Sequence, residues 1–184
     1  MSSQTGTVSS VSVTGSWTNA SNIYTSNNTY AVSASIASSG VTGFLTCTGN
    51  GFSIPTGATI AGIEVAVEGK NQISANGFSL RPQSGEARIW YAGAAIGSGN
   101  PSGITNQTWT TNSDQTKTFG DSTNLWGAAL TPSIINDSTF GFRCRFFNNN
   151  ASSQTFSVDC ISMTVHYTDS AGIQSSQQLF MYEG

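Results

Sequence analysis

Charge is what this sequence has least of. Only 8% of its 184 residues are charged, against about 25% in an ordinary soluble domain. Six are basic and nine acidic, and no run of lysine or arginine occurs. Nucleic-acid binding draws most of its affinity from clustered cations facing phosphates, so composition argues against that partner. Long apolar runs are missing too. A membrane-spanning helix needs about 18 or more consecutive apolar residues, and the chain has none, so no membrane partner is expected. The opening stretch "MSSQTGTVSSVSVTGS" has neither the basic head nor the apolar centre of a secretory signal. Synthesis in a cytoplasm, with no self-encoded export, is the expectation.

Histidine occurs once, as His166, and cysteine three times, as Cys47, Cys144 and Cys160. The cysteines form no C-x-x-C pair and their odd number leaves at least one free. All three are expected to be small buried hydrophobes; a disulfide between two stays open if the molecule ends outside a cell. Residues 158–167, "VDCISMTVHY", nevertheless gather Asp159, Cys160 and His166, the side chains of a Cys–His hydrolase. A strand rises about 3.3 Å per residue, which puts Cys160 and His166 about 20 Å apart on one straight strand, whereas a nucleophile and its base sit about 3 Å apart. The stretch reads as a sandwich wall. Its apolar parity changes after Cys160: Phe156, Val158 and Cys160 share one phase, and Ile161, Met163, Val165 and Tyr167 the other. One extra residue near Cys160, a β-bulge, would turn all seven inward, leaving Asp159 outward or in the bulge and His166 outward.

What the chain does have is aromatic and aliphatic residues in a period of two. Aromatics are 10% and hydrophobic residues 37% of the chain, enough for a core and too many for disorder. In "IAGIEVAVEG" (60–69), Ile63, Val65 and Val67 alternate with Glu64, Ala66 and Glu68. In "FGFRCRFF" (140–147), Phe140, Phe142, Cys144 and Phe146 alternate with Gly141, Arg143 and Arg145. Both patterns predict half-buried strands, and 85–93 and 115–120 are shorter candidates. Gly/Asn/Ser punctuation at short intervals predicts an all-β, antiparallel sandwich. One helical turn is expected after Thr131, with Pro132 first and Asn136 or Asp137 at its end. The expected organisation is an N-terminal arm (1–12), a β-sandwich (13–167) and a C-terminal arm (168–184). Long loops are expected over 93–108 and 148–153. Within the C-terminal arm, Leu179, Phe180 and Tyr182 would suit docking onto a partner.

Other site chemistries find little support. A structural zinc needs four ligands at short spacings, and the candidates are scattered. A D-x-D-x-D calcium loop is absent, so Asp114, Asp121 and Asp137 read as turn residues. Glu64 and Glu68 would be about 13 Å apart along a strand, beyond the roughly 5–9.5 Å of glycosidase carboxylates. "IGSGNPSG" (96–103) lacks the lysine and helix of a phosphate loop. No enzyme, cofactor or metal is therefore expected. Exposed Trp90, Tyr91 and Trp109 would be the residues on which a sugar ring could stack, if they do not pack in the core.

Four phrases together resemble a family of β-sandwich domains of tailed-phage virion proteins: "SWTNASNIYTSNNTYA" (16–31), "GFSIPTGATIAGIEVAVEG" (51–69), "SDQTKTFGDSTNLWGAALTPSIINDSTFGFRCRF" (113–146) and "VDCISMTVHY" (158–167). The resemblance implies a jelly-roll-like sandwich and a structural protein of the virion. Its implied role is that of a capsid decoration, or cement, protein on the outer surface of the mature head. The implied partners are the major capsid protein and further copies of the chain, as a homotrimer. Similar domains also occur in tail appendages and bacterial surface proteins, so glycan recognition through Trp90, Tyr91 and Trp109 is the alternative it implies. Fold-level likeness alone does not decide between them.

Overall fold

A computed structural model describes residues 1–72, 76–97 and 105–169. Among these, fourteen strands, numbered in chain order, form three antiparallel sheets, so the fold is all-β and sandwich-like. The six-stranded sheet is built on two long strands, β6 (Thr59–Asn71) and β14 (Phe156–Thr168), paired along their length. Its other members are β11 (Gln115–Gly120) beside β6, and β1 (Ser2–Thr7) and β4 (Ala31–Ser33) beside β14, with β3 (Trp17–Thr18) beyond β4. The five-stranded sheet runs β2 (Ser10–Val13), β5 (Leu45–Thr48), β12 (Gly141–Cys144), β8 (Ala87–Tyr91), β9 (Ala94–Ile96). A small third sheet joins β7 (Phe78–Leu80) to β10 (Gln107–Trp109) and β13 (Phe147–Asn148).

The period-two residues do what their spacing predicts. Ile63, Val65 and Val67 of β6 and Leu45, Cys47, Phe142 and Cys144 of the five-stranded sheet belong to one continuous core and are fully buried. Aromatic rings close the end near the third sheet. The Trp109 ring lies 5.5 Å from Phe146 and 5.2 Å from Phe156, and Phe78 stacks on Phe156 at 5.2 Å. Burying rings of this size contributes roughly 1.5–3 kcal/mol each. The expected helical turn is present as α1 (Pro132–Ile135), capped by the Thr131 hydroxyl, which accepts the Ile134 N–H at 3.3 Å.

Two boundaries differ from expectation. Residues 1–12 are not an arm: β1 pairs with β14 from Ser2↔Tyr167 to Thr7↔Ser162, and β2 pairs with β5. Ladder hydrogen bonds hold these Ser/Thr residues where side-chain burial would not, and Val8 between the two strands drops into the core. The sandwich therefore starts at Ser2 rather than at residue 13. At the other end it runs through Thr168. The remainder of the expected C-terminal arm, with Leu179, Phe180 and Tyr182, lies outside the described residues.

The bulge in β14 falls where the parity change places it. The register jumps from Val158↔Gly69 to Cys160↔Glu68, leaving Asp159 as the extra residue. Six of the seven apolar residues turn inward as expected, but Cys160 does not. Opposite Glu68, it occupies the outer phase and stays out of the core cluster, covered instead by a bridge from Tyr24.

Candidate functional site

The outer face of the six-stranded sheet collects short polar side chains in rows. Ala66 of β6 stands opposite Ser162 of β14, which stands opposite Thr7 of β1; on the other side Ala66 faces Thr118 of β11. The next row carries Glu64, Thr164 and Thr5, with the two threonine hydroxyls 2.8 Å apart. Alternation along each strand makes this arrangement unavoidable once the valines and isoleucines point inward. Where the segment around Tyr24 crosses the sheet, it leaves an open depression of about 390 Å³ lined by Thr5, Thr7, Tyr24, Glu68, Cys160 and others.

Three carboxylates converge at one side of this depression. One oxygen each from Glu68, Asp114 and Asp159 lie within 4.8 Å of one another. The bulge turns Asp159 under the preceding loop, where it is 1% exposed. There it accepts the backbone N–H groups of Asn28 at 3.2 Å and Asn27 at 3.4 Å. Asp114, just before β11, accepts the Tyr30 hydroxyl at 2.8 Å on one oxygen, while its other oxygen is buried without a hydrogen-bond partner. The Lys70 ammonium sits 3.8 Å from the Tyr30 ring centroid. Burial pushes the Tyr30 hydroxyl above its usual pKa and Asp114 adds to the shift, while hydrogen bonding to Lys70 works against it. Oxygen ligands of this kind are those a hard divalent cation takes. Asp159 and one oxygen of Asp114 are already engaged within the protein.

None of the three thiols is activated in this arrangement. Burial, followed by the charges of Glu68 and Asp159, raises the Cys160 thiol pKa, which disfavours the thiolate a nucleophile needs. His166 lies six residues further along β14, about 20 Å away at strand rise, with its Nε2 3.5 Å from a Glu64 oxygen. Cys47 and Cys144 point into the core of the other sheet, and burial raises both thiols. No Cys–His pair is brought together among the described residues. All three cysteines are free and buried.

The aromatic trio proposed for glycan stacking does not form one platform. Trp109 is fully buried, its indole N–H donating to the Gln115 carbonyl at 2.7 Å, so it cannot stack on a sugar. Its neighbours Phe119, Phe146 and Phe156 offer it more contact than solvent would. Trp90 and Tyr91 are half-buried on β8 of the five-stranded sheet, away from the depression, and Tyr91 packs against the core. Asparagines of the 148–153 loop also turn inward. Asn148 donates to the Ile36 carbonyl at 2.8 Å and Asn150 to that of Gly77 at 3.2 Å. Much of the expected 93–108 loop lies outside the described residues.

Sequence reasoning missed Thr5 and Thr7, assigned to an arm, and Asp114, assigned to a turn. It found the bulge that holds Asp159. No known family model matches this chain, and no curated protein is similar to it in sequence.

Proposed function

We propose that the protein is a non-catalytic structural component of a virion, a decoration protein that binds the outer surface of a mature tailed-phage head and bridges major capsid subunits. One observation carries this reading beside the sequence resemblance. The first and last described strands end together: Ser2 is in register with Tyr167, and its hydroxyl lies 3.2 Å from an Asp169 oxygen. Asp169, the last described residue, thus lies at the same corner as Met1, which is 73% exposed. A sandwich whose first and last described strands meet at one corner suits attachment through that corner. Binding only the mature lattice would stabilise it by linkage, as any ligand specific for one state does. The low-charge Ser/Thr/Asn exterior suits close packing of many copies, and a homotrimer remains part of the proposal.

The test is the protein's copy number in purified particles, together with binding of the full chain and of residues 1–169 to expanded heads. Near-stoichiometric copies, and loss of binding without 170–184, are expected. A handful of copies per particle would instead favour a tail appendage that recognises glycans. The hydroxyl-lined depression beside Tyr24 is the feature that supports that second reading.

A further inference from the structure

All four arginines of the chain, Arg81, Arg88, Arg143 and Arg145, gather on the outer face of the five-stranded sheet or at its rim. Arg88 and Trp90 alternate with buried Ala87 and Ile89, and Arg143 and Arg145 with buried Phe142, Cys144 and Phe146. Arg143 stands directly opposite Arg88 in the ladder, a like-charge pairing that costs stability. The Arg143 guanidinium lies 3.9 Å from the Phe44 ring centroid and 4.7 Å from that of Trp90, and Arg145 lies 4.8 Å from Phe44. Nε of both Arg143 and Arg145 is buried without a partner. Among the described residues, the one carboxylate on this face, Glu86, is closed by Arg81. Among the described residues, Arg88, Arg143 and Arg145 have no ion-pair partner.

The opposite sheet has the reverse imbalance. Glu64 and Glu68 alternate with buried Ile63, Val65 and Val67, and Asp114 and Asp159 converge beside Glu68. Lys70 is the one lysine in this phase, and its ammonium is taken up by Tyr30. Lys117, opposite Val67 in the register, belongs to the inner phase. Among the described residues, the part-exposed carboxylates Glu64, Glu68 and Asp114, with buried Asp159 behind them, thus stand against one lysine and His166, while four arginines stand against one glutamate.

We infer that these two faces bind each other in successive copies of the chain, head to tail, with the arginine–aromatic face of one copy on the carboxylate face of the next. Guanidinium groups meet carboxylates in pairs of parallel hydrogen bonds and are weakly hydrated. Stacking on Phe44 and Trp90 fixes their planes before binding. Arginine and tryptophan beside one another are also the composition on which interface energy concentrates. The contact is heterologous, so it closes into a ring or propagates. This inference does not depend on the decoration reading.

Sedimentation velocity of the full chain tests it, at about 10 mM salt, where the screening length is about 30 Å, and at about 1 M, where it is about 3 Å. Association at low salt and monomers at high salt are expected. The double variants Arg143→Glu/Arg145→Glu and Glu64→Lys/Glu68→Lys should each be monomeric at low salt. Mixed together they should associate again, because each retains the face the other has lost and the two reversed faces carry opposite charge. If charge reversal beside Phe44 prevents folding, Arg143→Gln/Arg145→Gln serves in its place. A wild-type chain that stays monomeric at low salt overturns the inference, as does a mixture that stays monomeric. So does wild-type association that either double variant retains, or an arginine face that takes duplex DNA in preference to a second copy.

Discussion

The Asp159 carboxylate accepts the Asn28 backbone N–H at 3.2 Å, joining positions 131 residues apart in the chain. With the Asn27 N–H on its other oxygen, Asp159 pins the 27–28 loop onto the bulge of β14. Asp159→Ala leaves those donors facing a gap, at a cost of about 1–3 kcal/mol. Asp159→Asn keeps one acceptor and relieves the crowding with Glu68 and Asp114, so its loss is expected to be smaller. Urea unfolding of the three proteins measures both effects. An unchanged midpoint for Asp159→Ala would mean that the loop holds itself.

Gly141 is a second position where geometry leaves no choice. A Cβ placed there would meet the Cys47 carbonyl oxygen at 1.8 Å, because β5 and β12 approach closely at that pair. Gly141→Ala must push the two strands apart, and overpacking of this kind costs about 1–3 kcal/mol or more. The predicted result is a lower melting temperature or failure to fold, whereas Gly51→Ser, with open space around its Cβ position but a left-handed backbone, costs less. Equal losses for the two substitutions would contradict the close approach.

What could be read from the sequence follows from where the information sits. The long strands β6 and β14 announce themselves through alternation, since one face of each must be apolar. The bulge is legible because it breaks that alternation at a definite residue. By contrast β1 has no apolar stripe: Ser2–Thr7 is held by ladder hydrogen bonds that any side chain permits, so periodicity is silent. Trp109 was ambiguous for another reason. A tryptophan beside a polar loop suits a sugar site or a core equally, and its burial depends on Phe119, Phe146 and Phe156 arriving from elsewhere in the chain. The meeting of Asp114, Glu68 and Asp159 depends on three separate segments and leaves no local trace.

The thiols give a prediction about alkaline pH. Burial raises Cys47, Cys144 and Cys160 above the ordinary thiol value. A group whose folded pKa is raised supports the folded state below its unfolded pKa, about 8.5, and that support is lost as pH rises further. Stability is therefore expected to fall above about pH 8.5, because the unfolded chain releases thiol protons that the folded one keeps. The Cys47→Ala/Cys144→Ala variant should have a lower plateau but a flatter decline. Native-state thiol labelling at neutral pH should leave Cys47 and Cys144 unmodified until the chain unfolds. Rapid labelling of either would show that the core admits reagent at that sheet.

Trp109 and Trp90 separate packing from recognition. Trp109 contacts three phenylalanine rings and satisfies its indole N–H within the protein, so Trp109→Ala should cost about 3–5 kcal/mol. Trp90 is half-buried and chiefly stacks with Arg143; Trp90→Ala loses a contact of about 0.5–2 kcal/mol with little cavity behind it. If the protein binds glycans, Trp109→Phe should leave affinity unchanged once the folded fraction is accounted for, while Tyr24→Ala, beside the depression, should weaken it. Thermal melts and glycan titrations on the same samples distinguish these effects. A Trp109 variant with wild-type stability and lost binding would place the indole at the surface and contradict the packing described for it.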